Sequence, residues 1–291
     1  MVSKTLLHRA HVVLEALPYI RKFSGKTIVI KYGGAAQDKA DLAHEFARDI
    51  TLLKYVGINP IIVHGGGPEI SRWVEKSGVK SKFVNGLRVT DEDTIEIAEM
   101  VLAGKISKSI VSLISRAGGK AVSIGGKDGQ LFTAKRIKTG KNDLGLVGKI
   151  TEINTTVIEA LDRSGFIPVI SSIAGGEDDE SLNVNADEAA SVLAVALKAV
   201  KLIYLTDVEG IKDEDGKLQA RLSVSDTQRL IRKKIISGGM IPKAQCCMEA
   251  VAKGVGSAHI IDGRILHSVL LELFTDTGIG TMIKPGITPS A

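Results

Sequence analysis

The chain is poor in the residues that build metal centres, disulfide scaffolds and nucleic-acid platforms. Its 291 residues include 2 cysteines, Cys246 and Cys247, side by side. Neighbouring cysteines rarely pair and no metal-ligand spacing surrounds these, so two free thiols with a packing role in a reducing compartment are expected. The 6 histidines are scattered, with no HExxH or related pattern, and no protein-held metal is expected. Aromatics are 4% of the chain, which leaves little for bases to stack on. Arg232-Lys233-Lys234 is the densest basic run in a chain of net charge +5. It reads as a solvated helix face rather than a groove for nucleic acid. The most apolar helical stretch, Ala189 to Leu197, is too short to span a bilayer, so no membrane association is expected. His8, Arg9, His11 and Glu15 interrupt the first segment, which therefore lacks an apolar signal core. A cytoplasmic protein is expected, with an organellar transit role for the first twenty or so residues as the alternative. GxxxxGK[ST] is missing, which excludes a Walker-type phosphate loop, and without GxGxxG a dinucleotide site is unsupported.

What is present is an alternation of strands and helices. Hydrophobic residues are 44% and charged residues 24%, enough to bury a large core in one α/β domain or two lobes. Thr27–Ile30, Pro60–Val63, Ala121–Ile124, Ile167–Ile170, Lys201–Leu205 and Ala258–Ile261 read as buried strands, and Phe132 to Lys149 as a hairpin. Helices are predicted at Lys4–Phe23, Asp41–Val56, Thr94–Ala117, Thr155–Ser164, Asp187–Lys198, Ser225–Ile236, Ile241–Lys253 and His267–Phe274, with Thr281–Ile283 as an edge strand. Strand, glycine loop and helix occur twice in succession near the start. That is the grammar of a parallel sheet. The Lys4–Phe23 helix carries Leu6, Leu7, Ala10, Val13, Leu14 and Leu17 on one stripe, which needs a surface to cover it.

Gly33-Gly34 and Gly65-Gly66-Gly67 both follow a predicted strand, at the edge where open parallel sheets bind ligands. Glycines let backbone N–H groups converge on an anion, and the next helix adds its positive end. Taken singly, each loop is equally a tight strand-to-helix turn. Lys31 sits where its strand ends, aimed at a phosphate or snorkelling to solvent. Asn183-Val184-Asn185-Ala186-Asp187 opens a helix, as an N-cap with acidic first-turn residues would. Thr206-Asp207-Val208-Glu209-Gly210 leaves a strand. Lys243 lies in a first helical turn, where its charge opposes the dipole unless an anion is nearby.

Together Lys31-Tyr32-Gly33-Gly34, His64-Gly65-Gly66-Gly67-Pro68, Asn85-Gly86-Leu87-Arg88-Val89-Thr90, Asn183 to Asp187, Thr206 to Gly210 and Gly239-Met240-Ile241-Pro242-Lys243 resemble the amino-acid kinase family, from about Thr27 to Ile283. Asn85–Thr90 and Asn183–Asp187 resemble its branch that phosphorylates N-acetyl-L-glutamate, and the N-terminal helix together with His259, Glu272 and Gly278-Ile279-Gly280 resembles the arginine-sensitive type. The resemblance implies an open αβα sandwich with a mainly parallel central sheet, plus an N-terminal helix. It implies an oligomerisation helix over 1–24, an acetylglutamate- and phosphate-binding lobe over 25–198 and a nucleotide lobe over 199–291. Lys31, Lys243 and Asp187 are then catalytic, with Asp187 orienting both lysines. Gly66, Gly67, Arg88 and Asn183 bind the substrate, and Gly33, Gly34, Thr206 and Asp207 the nucleotide. ATP is the implied cofactor, with Mg²⁺ held mainly through phosphates and water. His259, Glu272 and Gly278 match the pattern that resembling enzymes use to hold L-arginine as an inhibitor. A homo-oligomer, a hexamer built as a trimer of dimers, is implied, with a PII-type signalling protein as a further possible partner. Two other readings stay open: a kinase for carrier-linked aminoadipate or glutamate, and a non-catalytic amino-acid sensor on the same fold.

Overall fold

The β-branched runs form the centre of the molecule. The structure, a computed structural model, describes residues 4–34, 37, 39–84, 86–139 and 142–286; Asn85 of the Asn85–Thr90 motif lies outside them. An eight-stranded sheet is assembled from β1 (Thr27–Tyr32), β2 (Asn59–His64), β5 (Ala121–Ile124), β8 (Ile167–Ser171), β11 (Lys201–Thr206), β12 (Arg221–Ser223), β13 (Ala258–Asp262) and β14 (Thr281–Lys284). Its order is β12-β14-β13-β11-β1-β2-β8-β5. All its pairings are parallel except β13 with β14. Successive side chains of a strand face opposite sides. Val29, Ile61, Leu202, Tyr204 and Ile260 therefore enter one core, and Ile28, Ile30, Ile62, Ile203 and Ile261 enter the other. The Ala186–Ala196 and Met240–Ala252 helices cover the first face. The Ala40–Tyr55, Ser107–Arg116 and Ser268–Leu273 helices cover the second. The expected αβα sandwich is the observed one, and strands buried on both faces read as continuous apolar runs for that reason.

Two small sheets lie beside this frame. β3 (Phe83–Val84) and β4 (Leu87–Arg88) form a short antiparallel hairpin. β6 (Phe132–Thr139) and β7 (Asn142–Ile153), the expected hairpin, are closed into a barrel by β9 (Ile173–Gly175) and β10 (Ser181–Asn183). The helix expected over Thr94–Ala117 departs from its prediction. It starts at Glu92, capped by Asp91, whose side chain accepts from the Thr94 N–H. It then passes through a π-helical segment, Met100–Ile106, before the α-helix from Ser107. The predicted Ser225–Ile236 helix ends earlier, at Arg232.

The Lys4–Phe23 helix forms as expected, and among its described side chains the packed ones are at its end. Phe23 is buried, and the Tyr19 hydroxyl donates to Asp276 at 2.6 Å. Val13 and Leu14 are 69% and 61% exposed, and Leu7 and Leu17 are exposed too. Leu6 and Ala10, the other members of the stripe, lie outside the described side chains.

The barrel is pinned to the sandwich at Gly145, which has a φ of 67°. Thr90 N–H donates to the Leu144 carbonyl at 3.0 Å, and Leu146 N–H to the Thr90 carbonyl at 2.7 Å. A Cβ at Gly145 would lie 2.2 Å from the Thr90 carbonyl oxygen. Gly145→Ala is therefore expected to cost at least about 2 kcal/mol of stability and to lower the thermal midpoint by several degrees in a melting experiment. An unchanged midpoint would mean that the barrel is not held at this point.

Candidate functional site

β1 lies between β11 and β2, so the chain departs in opposite directions on its two sides. Ligand crevices of open α/β sheets form at the carboxyl ends of strands at such a point. A cavity of about 510 Å³ opens there, lined by Gly33, Gly34, Gly65, Gly66, Gly67 and Asp187 among others. Lys31 follows Val29 on the face covered by the 186–196 helix. Its Nζ lies 3.0 Å from Asp187 Oδ1, while Lys243 Nζ, from the first turn of the 240–252 helix, lies 2.5 Å from Oδ2. Asn185 fixes Asp187 by capping the helix: its side-chain oxygen accepts from the N–H groups of Asp187 and Glu188. Burial works against ionising Asp187, yet the two lysines outweigh it and hold the carboxyl below its usual range. Two ammonium groups on one carboxylate leave net positive charge facing the glycines, which suits an anion.

Gly34 takes a left-handed φ of 64°, while space constrains Gly66 and Gly33. A Cβ on Gly66 would fall 2.3 Å from Ile106 Cδ1 and 2.8 Å from a Leu102 methyl. One on Gly33 would lie 3.0 Å from Lys31 Nζ, so this glycine lets the lysine lie across the loop.

Arg88 is 7% exposed. Its guanidinium donates to Ser81 Oγ, Ser71 Oγ and the Gly67 carbonyl, each at 2.8 Å, and lies 4.6 Å from the centroid of the Phe83 ring. Among the described residues it pairs with no carboxylate. Burial lowers its pKa, opposed by the charge of Glu75. Asn183 lines the same cavity, and its side-chain amide donates to Thr90 Oγ1 at 3.2 Å. Arg88 was legible through its motif. Its supports Ser71 and Ser81 were not, because an isolated serine in a helix or loop carries no signal of what it touches.

A second cavity of about 500 Å³ lies over Asp207–Asp213, Ile235, Met240 and Arg264. Asp207 lines it. Thr206 does not: its hydroxyl donates to the backbone carbonyls of Val208 at 2.9 Å and Ile261 at 3.1 Å. Gly33 and Gly34 line the first cavity instead.

At the other end of β11, a third cavity of about 340 Å³ brings His259, Glu272 and Gly278 together. His259 Nδ1 is 2.6 Å from Glu272 Oε1, and Glu272 Oε2 accepts from the Ile279 N–H at 2.9 Å. Lys201 Nζ lies 2.9 Å from His259 Nε2. Burial pushes Lys201 down to about 8 and also lowers His259. Burial opposes ionisation of Glu272, but its bonds to His259 and the Ile279 N–H hold it below the usual range. Tyr19, Lys22 and Phe23 of the N-terminal helix supply part of the wall. Lys201 and Tyr19 escaped the sequence reading because both sit inside ordinary strand and helix patterns.

Lysines, a shared carboxylate and glycine loops at the switch point of an αβα sandwich describe a protein that holds and transfers phosphoryl groups. The chain belongs to the amino-acid kinase family, whose sequence model matches residues 26–262. It is 56% identical to the acetylglutamate kinase of Caldanaerobacter subterraneus subsp. tengcongensis, over 94% of this chain and 93% of that one. Its structure is similar to N-acetylglutamate synthase from Neisseria gonorrhoeae complexed with coenzyme A and N-acetyl-glutamate (TM-score 0.86, 28% identity). It is also similar to the same synthase complexed with coenzyme A and L-arginine (TM-score 0.81, 27% identity). Both alignments cover 98% of this chain, which spans 64% and 66% of the two synthase chains.

The charge balance at Asp187 fixes a direction of pH dependence. Its folded pKa lies below the ordinary aspartate value, so the native state favours the carboxylate. That stability is present above the unfolded pKa and is lost as pH falls through the folded one. Asp187→Asn is expected to be less stable than the parent in urea at pH 7, with the difference closing toward pH 3. A difference that persists undiminished at acid pH would remove the ion pairs as its cause.

Proposed function

We propose that this chain transfers the γ-phosphoryl group of ATP to the side-chain carboxylate of N-acetyl-L-glutamate. The products are N-acetyl-L-glutamyl 5-phosphate and ADP, at the second step of arginine biosynthesis through ornithine. The observation that carries this reading is Arg88: a buried guanidinium that pairs with no carboxylate among the described residues, in the cavity lined by Lys31 and by Asp187, to which Lys243 is ion-paired. A guanidinium taken from water needs a negative partner, and its planar fork fits a carboxylate. The 56% identity to an acetylglutamate kinase supports that substrate, as does the related synthase fold with N-acetyl-glutamate bound.

In this reading Arg88 and Asn183 hold the substrate with its side-chain carboxylate toward the glycines. That carboxylate is ionised at neutral pH, since its reference pKa is about 4.3, so no enzyme base is needed. One of its oxygens bonds to the γ-phosphorus. The bond from that phosphorus to the β–γ bridging oxygen breaks, and the oxygen leaves with ADP. Phosphoryl transfer depends mainly on positioning and charge neutralisation. Lys31 and Lys243 neutralise the transferring group, Asp187 orients them, and the N–H groups of Gly34, Gly66 and Gly67 face it. Gly33 completes the loop, and Asp207 and its neighbours in the second cavity receive the nucleoside. Mg²⁺ enters with ATP. The carboxylates lining the first cavity are Glu69 and Asp187, the former bonded to Arg72, Trp73 and Lys105 and the latter to two lysines. This favours a metal held through phosphates and water. The first cavity is lined from within 25–198 and the second from within 199–291, which supports the proposed division into lobes. The free thiols of Cys246 and Cys247 support a cytoplasmic setting.

The reading extends to feedback inhibition by L-arginine in the third cavity. Glu272 would pair with the cationic end, and the Gly278 loop would offer backbone groups to the polar α-carbon end. The synthase with L-arginine bound supports that ligand. The exposed stripe of the N-terminal helix supports interlacing of dimers into a hexamer.

An ADP-release assay tests the main reading. N-acetyl-L-glutamate should be required for turnover. Lys31→Ala and Lys243→Ala should each lower kcat at least about 10²-fold, and Arg88→Lys should raise KM for acetylglutamate while leaving KM for ATP nearly unchanged. ADP release independent of acetylglutamate would sink the assignment. For the third cavity, Glu272→Ala should raise the half-inhibitory arginine concentration about 10-fold or more with kcat unchanged. Removal of residues 1–24 should leave an active dimer by sedimentation. Unchanged activity in saturating arginine would end that part of the reading.

A further inference from the structure

His64 has no part in the chemistry above, yet it is fully buried directly beneath the glycine loop. Its Nδ1 lies 3.1 Å from the Gly65 carbonyl oxygen, and its Nε2 lies 2.7 Å from Ser107 Oγ. A carbonyl only accepts, so Nδ1 must carry the proton. In the neutral ring Nε2 is then the acceptor, and the Ser107 hydroxyl donates to it. Burial, with the charge of Lys31 adding to it, outweighs the Gly65 bond and pushes the imidazolium down to about 4. The ring is therefore neutral at working pH, with one tautomer fixed at both ends.

The peptide that this ring grips lies in the loop facing the phosphoryl site. In a planar trans peptide the C=O and the following N–H point in opposite directions. Drawing the Gly65 carbonyl inward to His64 turns the Gly66 N–H outward, toward the cavity. Among the described residues that N–H donates to no group, and it precedes the 67–76 helix as its N-cap. The π-helical segment 100–106 is built around the same loop. Leu102 and Ile106 occupy the space beside Gly66, Lys105 bonds Glu69 at the start of the next helix, and Ser107 follows immediately.

We propose that His64 and Ser107 are a positioning pair for phosphoryl transfer: neutral His64, held by Ser107, donates from Nδ1 to the Gly65 carbonyl and so aims the Gly66 N–H at the transferring group. This rests on the phosphotransfer reading. A donor aimed in advance matters most where charge develops in the transition state, so its loss falls on kcat rather than on binding.

The test combines nitrogen NMR of the full chain with kinetics. The ¹⁵N shifts of His64 at pH 7 should report a neutral ring protonated at Nδ1. His64→Gln loses the donor to Gly65 and should lower kcat roughly 10- to 100-fold, with both KM values within about twofold of the parent. His64→Asn, whose amide nitrogen falls near the Nδ1 position, should recover most of that loss. Ser107→Ala, which removes a single oxygen, should lower kcat about 10-fold and serves if the His64 variants do not fold. A ring protonated at Nε2, parent-like kcat in His64→Gln or Ser107→Ala, or equal impairment of the Asn and Gln variants would overturn the proposal. The NMR measurement needs no turnover. A parent chain that binds substrates without transferring phosphate would instead overturn the functional reading, and the two failures are told apart.

Discussion

The Asp187 carboxylate is the constraint on which the site depends. It is buried, and a buried carboxylate without partners is strongly unfavourable. Its partners come from separate elements: Lys31 from β1 and Lys243 from the 240–252 helix, while Asp187 itself opens the 186–196 helix. Tying three elements through one side chain sets the spacing of the two ammonium groups. The carboxylate cancels one positive charge and leaves the other. A site with two unpaired lysines would repel itself; one with a second carboxylate would repel phosphate.

The topology explains why those elements meet. β1 pairs in parallel with β11 on one side and β2 on the other, so the loops after β1 and β2 and the ends of the helices converge on one edge. The 240–252 helix belongs to both cavities: Met240 lines the second, and Lys243, three residues on, reaches Asp187 in the first. One helical turn thus reaches from the second cavity to the Asp187 carboxylate of the first. Arg88 completes the far side of the first cavity from a two-residue strand, anchored through Gly67 and Ser71 to the helix that follows the glycine loop.

The parts legible in the sequence were those with a local pattern. Runs such as Ile28-Val29-Ile30 can hardly be anything but a strand buried on both faces, and glycine loops after two of them marked the ligand edge. Lys31, Asp187 and Lys243 could each be pointed to, but their meeting at one carboxylate was implied only by the family resemblance, because it depends on tertiary packing that no local pattern shows. β3, β4, β9 and β10 are two or three residues long, too short to show a period of two. The π-helical segment has the composition of an α-helix, so nothing in Met100–Ile106 distinguishes it. Thr206 looked like a ligand-facing residue because it ends a strand at the right edge. Its hydroxyl is spent on neighbouring carbonyls, a competition that residue type alone does not disclose.

The first and third cavities lie at opposite edges of the sheet. Lys201 begins β11 and Thr206 ends it, a span of roughly 16 Å. β11 is hydrogen-bonded on both sides, to β1 and β13, and its interior residues are fully buried. Such a strand has no second arrangement into which it can slip alone, and coupling between sites requires an element with two. The walls of the third cavity differ in this respect. The N-terminal helix is held there by Phe23, by Tyr19 against Phe274 and by the Tyr19–Asp276 bond, while Leu7, Val13, Leu14 and Leu17 are exposed. A ligand that joins Glu272 and the Gly278 loop on one side to Tyr19 and Lys22 on the other would act on the seating of that helix. Any message to the lysines would then travel as movement of whole elements about the sheet, with the β11 ladder unchanged.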